Sequence, residues 1–532
     1  MTAEPVIRRA TRLRGVVGRA LSATLVVTAT TAVAAVGTFD PPPRPVAAEG
    51  QVVAVPPMGA DLVCPGPLRL PTEQEAGEDV VYDPAFDPRA AESITSLRGV
   101  ALDGTGIVWA DLGTVDRRAS AQVDAVLEGA GESAQVLHAT PPTQNPLAGA
   151  AAFLARTSAG DLRGLAAASC QVASAESWLV GGSTSVGSSA RLVLQNPGRT
   201  AASVEVSLWG PTGQVELAGA PEFLVPAGAE RVVHLEGVAA EQRSLVARVR
   251  STGGLVAAYI QDSELRGLTP AGVDLVVAGS EPQRDVVLPG LSVTASAPDG
   301  SDTAALRLLA PEVATTARVQ ILGPEGTVDL PGASEVTLAA GEVLDVPLGG
   351  LPEGIWSVVV RADAPVVAGA LLTRGTTTGG ADAGSVSLAP LDRAWVPGLP
   401  TADSGDPAGL VALPAGVAGA SGPDESPTGL QGTVSLVSPP GSRPAELRIE
   451  VLDATGAVAA TRDVSLAPGT SAAVPLAELA VADPSAVRVT SSRGAAAWAV
   501  VLVEVRADGD VVAVIAPATQ RVVRTDVAVR VR

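Results

Sequence analysis

Proton chemistry near neutrality ordinarily calls for histidine, and this chain of 532 residues has two, His138 and His234, 96 positions apart (234 − 138). His234 fills a strand slot that holds Pro347 and Pro475 in the related copies described below, which marks the slot as structural. HExxH, GxSxG and a phosphate-cradling glycine loop are all missing. Asp508-Gly-Asp510 and the pair Asp299 and Asp302 have the acid spacing of calcium-loop fragments. The further ligands of such a loop do not follow, so each reads as a hairpin turn. The expectation is no catalytic residue, no metal site and no cofactor. Two polar stretches are less ordinary. Residues 181–189 (GGSTSVGSS) carry Ser183, Thr184 and Ser185, whose hydroxyls suit hydrogen bonds to a glycan or to another backbone. Residues 261–272 (QDSELRGLTPAG) carry Asp262 and Glu264. Either these five residues contact a ligand, or the first stretch is a wide turn and the second a hairpin connection.

The remaining reactive pair is Cys64 and Cys170, too widely spaced for a redox motif and without histidine partners for a metal. In an exported chain such a pair is most simply a disulfide. It closes 106 residues (170 − 64), worth on the order of 4–5 kcal/mol by loss of chain entropy. Export is read from the N-terminus. Arg8, Arg9, Arg12, Arg14 and Arg19 precede residues 20–39, twenty positions without a charge. That length suits one membrane crossing, with the basic flank kept in the cytoplasm. An uncleaved signal anchor and a cleaved signal peptide both fit. Ala32-Val33-Ala34 is an acceptable cleavage site, while the long apolar run favours the anchor.

What must position these residues is a repeat. VEVSLWGPTG, LVPAG and VVHL, then LVARVRSTGGLVAAYI, run from Val204 to Ile260, and the same order of parts returns at 319–371 and 449–502. Gly213, Gly326 and Gly456 close the first turn of each copy, at steps of 113 and 130 residues (326 − 213, 456 − 326). Fixed internal spacing among divergent residues marks a duplicated unit of roughly 100 residues, the size of one immunoglobulin-like sandwich. Aromatics are only 2% of the chain, so the cores must be Val, Leu and Ala, which suit pleated strands. The fold expected is all-β: tandem immunoglobulin-like β-sandwich units preceded by a transmembrane or signal helix. The parts are a basic stub and anchor at 1–40, a Pro-rich spacer at 41–61 and an irregular, disulfide-tied β domain at 62–173. Three units follow at 174–282, 283–392 and 393–532, the last with a flexible insert at 401–428. The alternating tail from Arg521 reads as one more edge strand.

A net charge of −20 argues against nucleic acid, whose phosphates need a basic surface. The phrases LVCPGPL at 62–68, SCQ at 169–171, WLVGGSTSVGSSARLVLQNP at 178–197 and YIQDSELRGLTPAG at 259–272 resemble a family of actinobacterial membrane-anchored, secreted proteins of unknown function. The resemblance implies a cell-envelope setting, since genes of that family often neighbour a large membrane glycosyltransferase. It assigns no residue a role. The reading that results is a non-enzymatic, extracytoplasmic, membrane-tethered rod of units, a structural or interaction protein at the cell membrane or secreted from it. Its partners are the membrane and envelope glycan or proteins; the alternative is an envelope-glycan binding protein.

Overall fold

The computed structural model describes residues 51–54, 59–70, 93–114, 125–129, 131–141, 149–219, 221–294, 304–328, 334–375, 390–401, 407–418, 429–518 and 526–529. The basic stub and apolar run of residues 1–40, and the Asp299/Asp302 pair, lie outside them. Among the described residues no helix is long and apolar enough to cross a membrane. The chain forms two compact units. One draws on residues 1–55 and 524–532 and is described at a single antiparallel pair, Gln51–Ala54 with Asp526–Val529. Part of the Pro-rich spacer is therefore a strand, and the tail strand pairs with it.

The other unit, Pro56–Val523, is all-β among its described residues apart from short helical turns at Leu235–Val238 and Leu476–Leu479. Four stretches of chain repeat one strand plan. In the N-terminal block, Gly106–Asp111, Gln135–Thr140, Ala60–Val63 and Gln171–Val172 form one sheet. Val126–Gly129, Ser93–Ala101, Gly149–Thr157 and Gly164–Ser169 form the other. The first block orders Glu176–Val180, Val246–Thr252 and Ala202–Gly210 in one sheet, and Glu230–His234, Ser188–Gln195, Ala257–Arg266 and Thr269–Val277 in the other. The second block uses one strand of 21 residues, Gly354–Arg374, for both sheets. Its early part pairs with Gln283–Val293 and Thr315–Gly323, its later part with Ala305–Leu309 and Asp392–Pro397. The third block sets Pro407–Ala412, Ala486–Arg493, Ala445–Leu452 and Val458–Leu466 against Thr470–Pro475, Leu430–Ser438, Ala497–Glu504 and Val511–Ile515.

In each block the two sheets share an aliphatic core, as in the first, where Leu192, Leu194 and Ile260 meet Val204, Val206 and Leu208. The repeated turns behave as their glycines require: Gly213, Gly326 and Gly456 adopt φ of 121°, 120° and 84°, a region closed to most side chains. Cys64 and Cys170 are bonded, with Cα atoms 4.3 Å apart.

The blocks do not string out into a rod. Each ends in a strand buried along nearly its whole length: Gly164–Ser169, Thr269–Val277, Asp392–Pro397 and Val511–Ile515. A strand apolar on both faces needs cover on both, and these four cover one another in a closed ring. Mixed apolar clusters seal every joint. Val193, Tyr259 and Val273 of the first block enter the N-terminal core, and Val180 and Trp209 of the first block meet Leu309 and Val367 of the second. Val501 and Val514 of the third enter the core of the second. Val100, Leu102 and Leu165 of the N-terminal block join the core of the third.

Two further expectations are corrected. Asp392–Pro397 closes the second block by pairing with Gly369–Arg374, so Trp395 does not open the third. The insert at 401–428 holds the third block's first strand, Pro407–Ala412, and a short parallel pair of Val417–Ala418 with Leu430–Gln431. Residues 402–406 and 419–428 of it lie outside the described residues.

Candidate functional site

The two polar stretches of the first block are brought together. Ser188, Ser189 and Ala190 register against Glu264, Ser263 and Asp262 on the neighbouring strand. What they receive is the second block. Trp395 inserts into the first block's core, and its indole N–H donates to Asp262 Oδ2 at 2.8 Å. Arg393 Nη1 donates to the same oxygen at 2.9 Å, and its Nη2 bonds Glu264. Arg307 lies 4.9 Å above the Trp395 ring and donates to the Gly182 carbonyl at 2.7 Å. Asp345 holds that guanidinium at 2.8 and 3.0 Å and accepts from Ser244 of the first block at 2.6 Å. The bonds from Arg307 and Ser244 keep the Asp345 carboxyl below its usual range although burial opposes them.

The local sequence explains how the pieces approach. A Cβ at Gly181 would stand 2.9 Å from the Trp395 ring. One at Gly272 would stand 2.5 Å from the Arg393 backbone nitrogen, at a φ of +102°. Gly181 and Gly272 are thus seats for the next block. The Ser183 and Thr184 hydroxyls are likewise spent within the chain. Thr184 donates to the Ala239 carbonyl at 2.6 Å and accepts from the Gln242 N–H at 2.9 Å. Ser183 donates to the Gln242 carbonyl at 3.2 Å and accepts from the Ser185 N–H at 3.2 Å.

The four final strands meet at Asp392. Its Oδ2 accepts N–H bonds from Leu165 of the N-terminal block at 3.2 Å and from Val512 of the third at 2.8 Å. Burial pushes this carboxyl up to about 7, against the pull of those amides, of its neighbour's N–H and of the Arg163 charge. Asp274, paired across the strands with Asp262, accepts the Trp395 N–H at 2.6 Å. Burial raises it well above the carboxylate range, and the charges of Asp392 and Asp262 add to the rise. Arg163 reaches Asp508 at 2.6 Å and the Gly509 carbonyl at 2.7 Å, so the Asp508-Gly-Asp510 turn is a tie to the N-terminal block. Of these junction residues, Asp262, Glu264 and the Asp508–Asp510 turn stood out in the sequence, and Asp274, Asp392 and the arginines did not. Their signal was the lack of polar alternation in GLAAAS and VVAVI, which already asks for cover on two sides.

Elsewhere, a groove of about 590 Å³ opens on the second block, lined by Thr316, Arg318, Gln320, Glu335, Arg361 and Asp363 among others. Arg361 is partly committed, to Asp285 at 3.2 Å and to the Pro440 carbonyl. Among the described residues no group of three or more His, Cys, Asp or Glu is arranged to hold a metal ion.

No curated protein and no solved structure matches the chain. A family described as a family of unknown function (DUF5719) matches residues 125–419, a span of 295 residues (419 − 125 + 1) out of 532 that takes in Leu165, Asp262, Asp274, Asp392 and Trp395. With more than half of its length in that match, the chain belongs to this family.

Proposed function

We propose that the protein is a non-enzymatic, extracytoplasmic, membrane-tethered structural or interaction protein of a bacterial cell envelope, of the actinobacterial kind its phrases resemble. The observation that carries this reading is the use made of its charged side chains: Asp262, Glu264, Arg307, Asp345 and Arg393 hold one block to the next. Such a body keeps its parts in fixed relation, as a scaffold must. The basic, then apolar, residues 1–39 support a membrane tether, and the Cys64–Cys170 bond supports an oxidising compartment. The sandwich units are immunoglobulin-like in size and in their two facing sheets. In each block, however, the first two strands lie on different sheets, whereas the constant-type order keeps them on one. Alkaline phosphatase fused to the C-terminus should be active in cells, because it folds only outside the cytoplasm. An inactive fusion with an active cytoplasmic reporter refutes the topology, and a hydrolase or transferase activity abolished by single carboxylate substitutions refutes the non-enzymatic role.

Envelope-glycan binding is a second reading, and the groove on the second block favours it, since Thr316, Gln320, Arg318 and Asp363 offer the donors and acceptors that sugar hydroxyls need. Retention of the full-length protein on wall polysaccharide, lost in Arg318→Ala, is the expected result. No retention removes this reading and leaves the first intact.

A further inference from the structure

We propose that the junction around Asp392 is a proton-dependent latch, which holds the ring of blocks closed while its buried carboxylates carry protons and loosens when they ionise. The inference rests on where the charges lie and needs no assumption about the envelope. Asp262, Asp274 and Asp392 are at most 1% exposed, and the Arg393 guanidinium is taken by Asp262 together with Glu264. The other cations that face the junction are held mainly by other partners, although Arg163 Nη1 and Arg374 Nε are buried without a hydrogen bond. Arg163, from the N-terminal block, is held by Asp508 of the third. Arg374, opposite Asp392 on the neighbouring strand, donates to Ser292 at 2.6 Å and faces Asp510 at 3.9 Å. Asp274 and Asp392 are thus two buried acids without a cation of their own, and an unbalanced buried charge is costly.

Their second oxygens sharpen the point. Asp392 Oδ1 and Asp274 Oδ1 are buried and make no hydrogen bond, and a side chain at Gly164 would overlap the former. A protonated acid tolerates such an oxygen far better than a carboxylate does. The Asp392 carboxyl hydrogen-bonds two blocks besides its own, those whose Leu165 and Val512 amides it accepts. Ionising it strains contacts between blocks, whereas each block keeps its own core.

The sign follows from linkage. Raised in the folded state to about 7 from an ordinary 3.8, Asp392 makes the closed body bind more protons than the open or unfolded chain. Its stabilising effect is complete below the ordinary aspartate range, falls as pH climbs through that window, and is gone above about 7. Ordinary acid unfolding has the opposite slope.

The test compares the full-length protein with Asp392→Asn by thermal unfolding and hydrogen exchange between about pH 5 and about pH 8. In the wild type, the midpoint should drop by about 5 °C toward the alkaline end. Exchange at the Leu165 and Val512 amides, corrected for intrinsic rate, should rise by about tenfold while the Leu192 and Val206 amides of the first block's core stay protected. Asp392→Asn should flatten both responses. A slope near neutrality kept in full by Asp392→Asn is not carried by Asp392 and overturns the proposal, as does a wild-type stability that rises with pH. If the variant does not fold, infrared spectroscopy of the wild type decides. A protonated carboxylic acid band that disappears on titration near neutrality is expected, and its absence overturns the latch.

Discussion

Two joints of the ring solve the same task with different chemistry. Between the first and second blocks, the contact combines a stacked Trp178–Trp209 pair, 5.3 Å between centroids, with the buried bonds of Arg307, Arg393 and Trp395. Between the second and third, the Asp392–Val512 bond and the Arg361 bond to the Pro440 carbonyl accompany a broad aliphatic seam, in which Leu288, Leu291 and Val396 meet Val501, Val512 and Val514. Aliphatic contact is adhesive but forgiving, because many small shifts preserve the buried area. A buried charge accepts one geometry and penalises the rest. The first joint therefore fixes register, and the second supplies area.

Denaturant unfolding of the full-length protein can break this distinction. Arg393→Ala leaves the Asp262 carboxylate buried without its cation and should cost about 4 kcal/mol; a second change, Asp262→Asn, should recover part of it. Equal loss with and without Asp262→Asn would mean that Arg393 acts by packing and that the joints are alike. Val501→Ala, in the aliphatic seam, should cost about 2 kcal/mol with no dependence on salt or on any partner substitution. Asp463→Asn removes a fully exposed partner of Arg448 on an outer strand and should leave the midpoint unchanged. A measurable loss there would mean that surface ion pairs hold this body as much as buried ones.

Much of the build was legible in the chain. The spacing from Gly213 to Gly228, repeated from Gly326 to Gly341, located turns whose glycines all have positive φ. The alternation of Val204, Val206 and Leu208 with Glu205 and Ser207 reads as a strand with one buried face, and Glu205 is exposed as that requires. The same strand buries both faces from Ser207 onward, because there the second block covers it. Alternation reports how many faces are covered, but not whether a partner is the same block or one 100 residues away. That is why Trp395 read as the start of a unit, when it is a plug from one block into another. The ligand-contact reading of Asp262 and Glu264 rested on their place in a polar stretch, QDSELRGLTPAG, a signal that a buried joint and an open site share. Nothing local to Asp392, Leu165 or Val512 could announce their meeting, since 227 and 120 positions separate the bonded pairs.

The ring also sets an order of events. Val100, Leu102 and Leu154, from the N-terminal block, share one apolar cluster with Val411, Val500 and Ala513. A chain delivered from its N-terminus presents that face bare until the last block arrives, over 400 residues later for Val100 and Ala513 (513 − 100). Contacts so distant form slowly, and the uncovered face is a place where nascent chains adhere to one another. Closure is thus expected to be a late, concentration-sensitive step of folding, and the Cys64–Cys170 bond, whose two cysteines are made early, would give the waiting block a means of holding its shape until then.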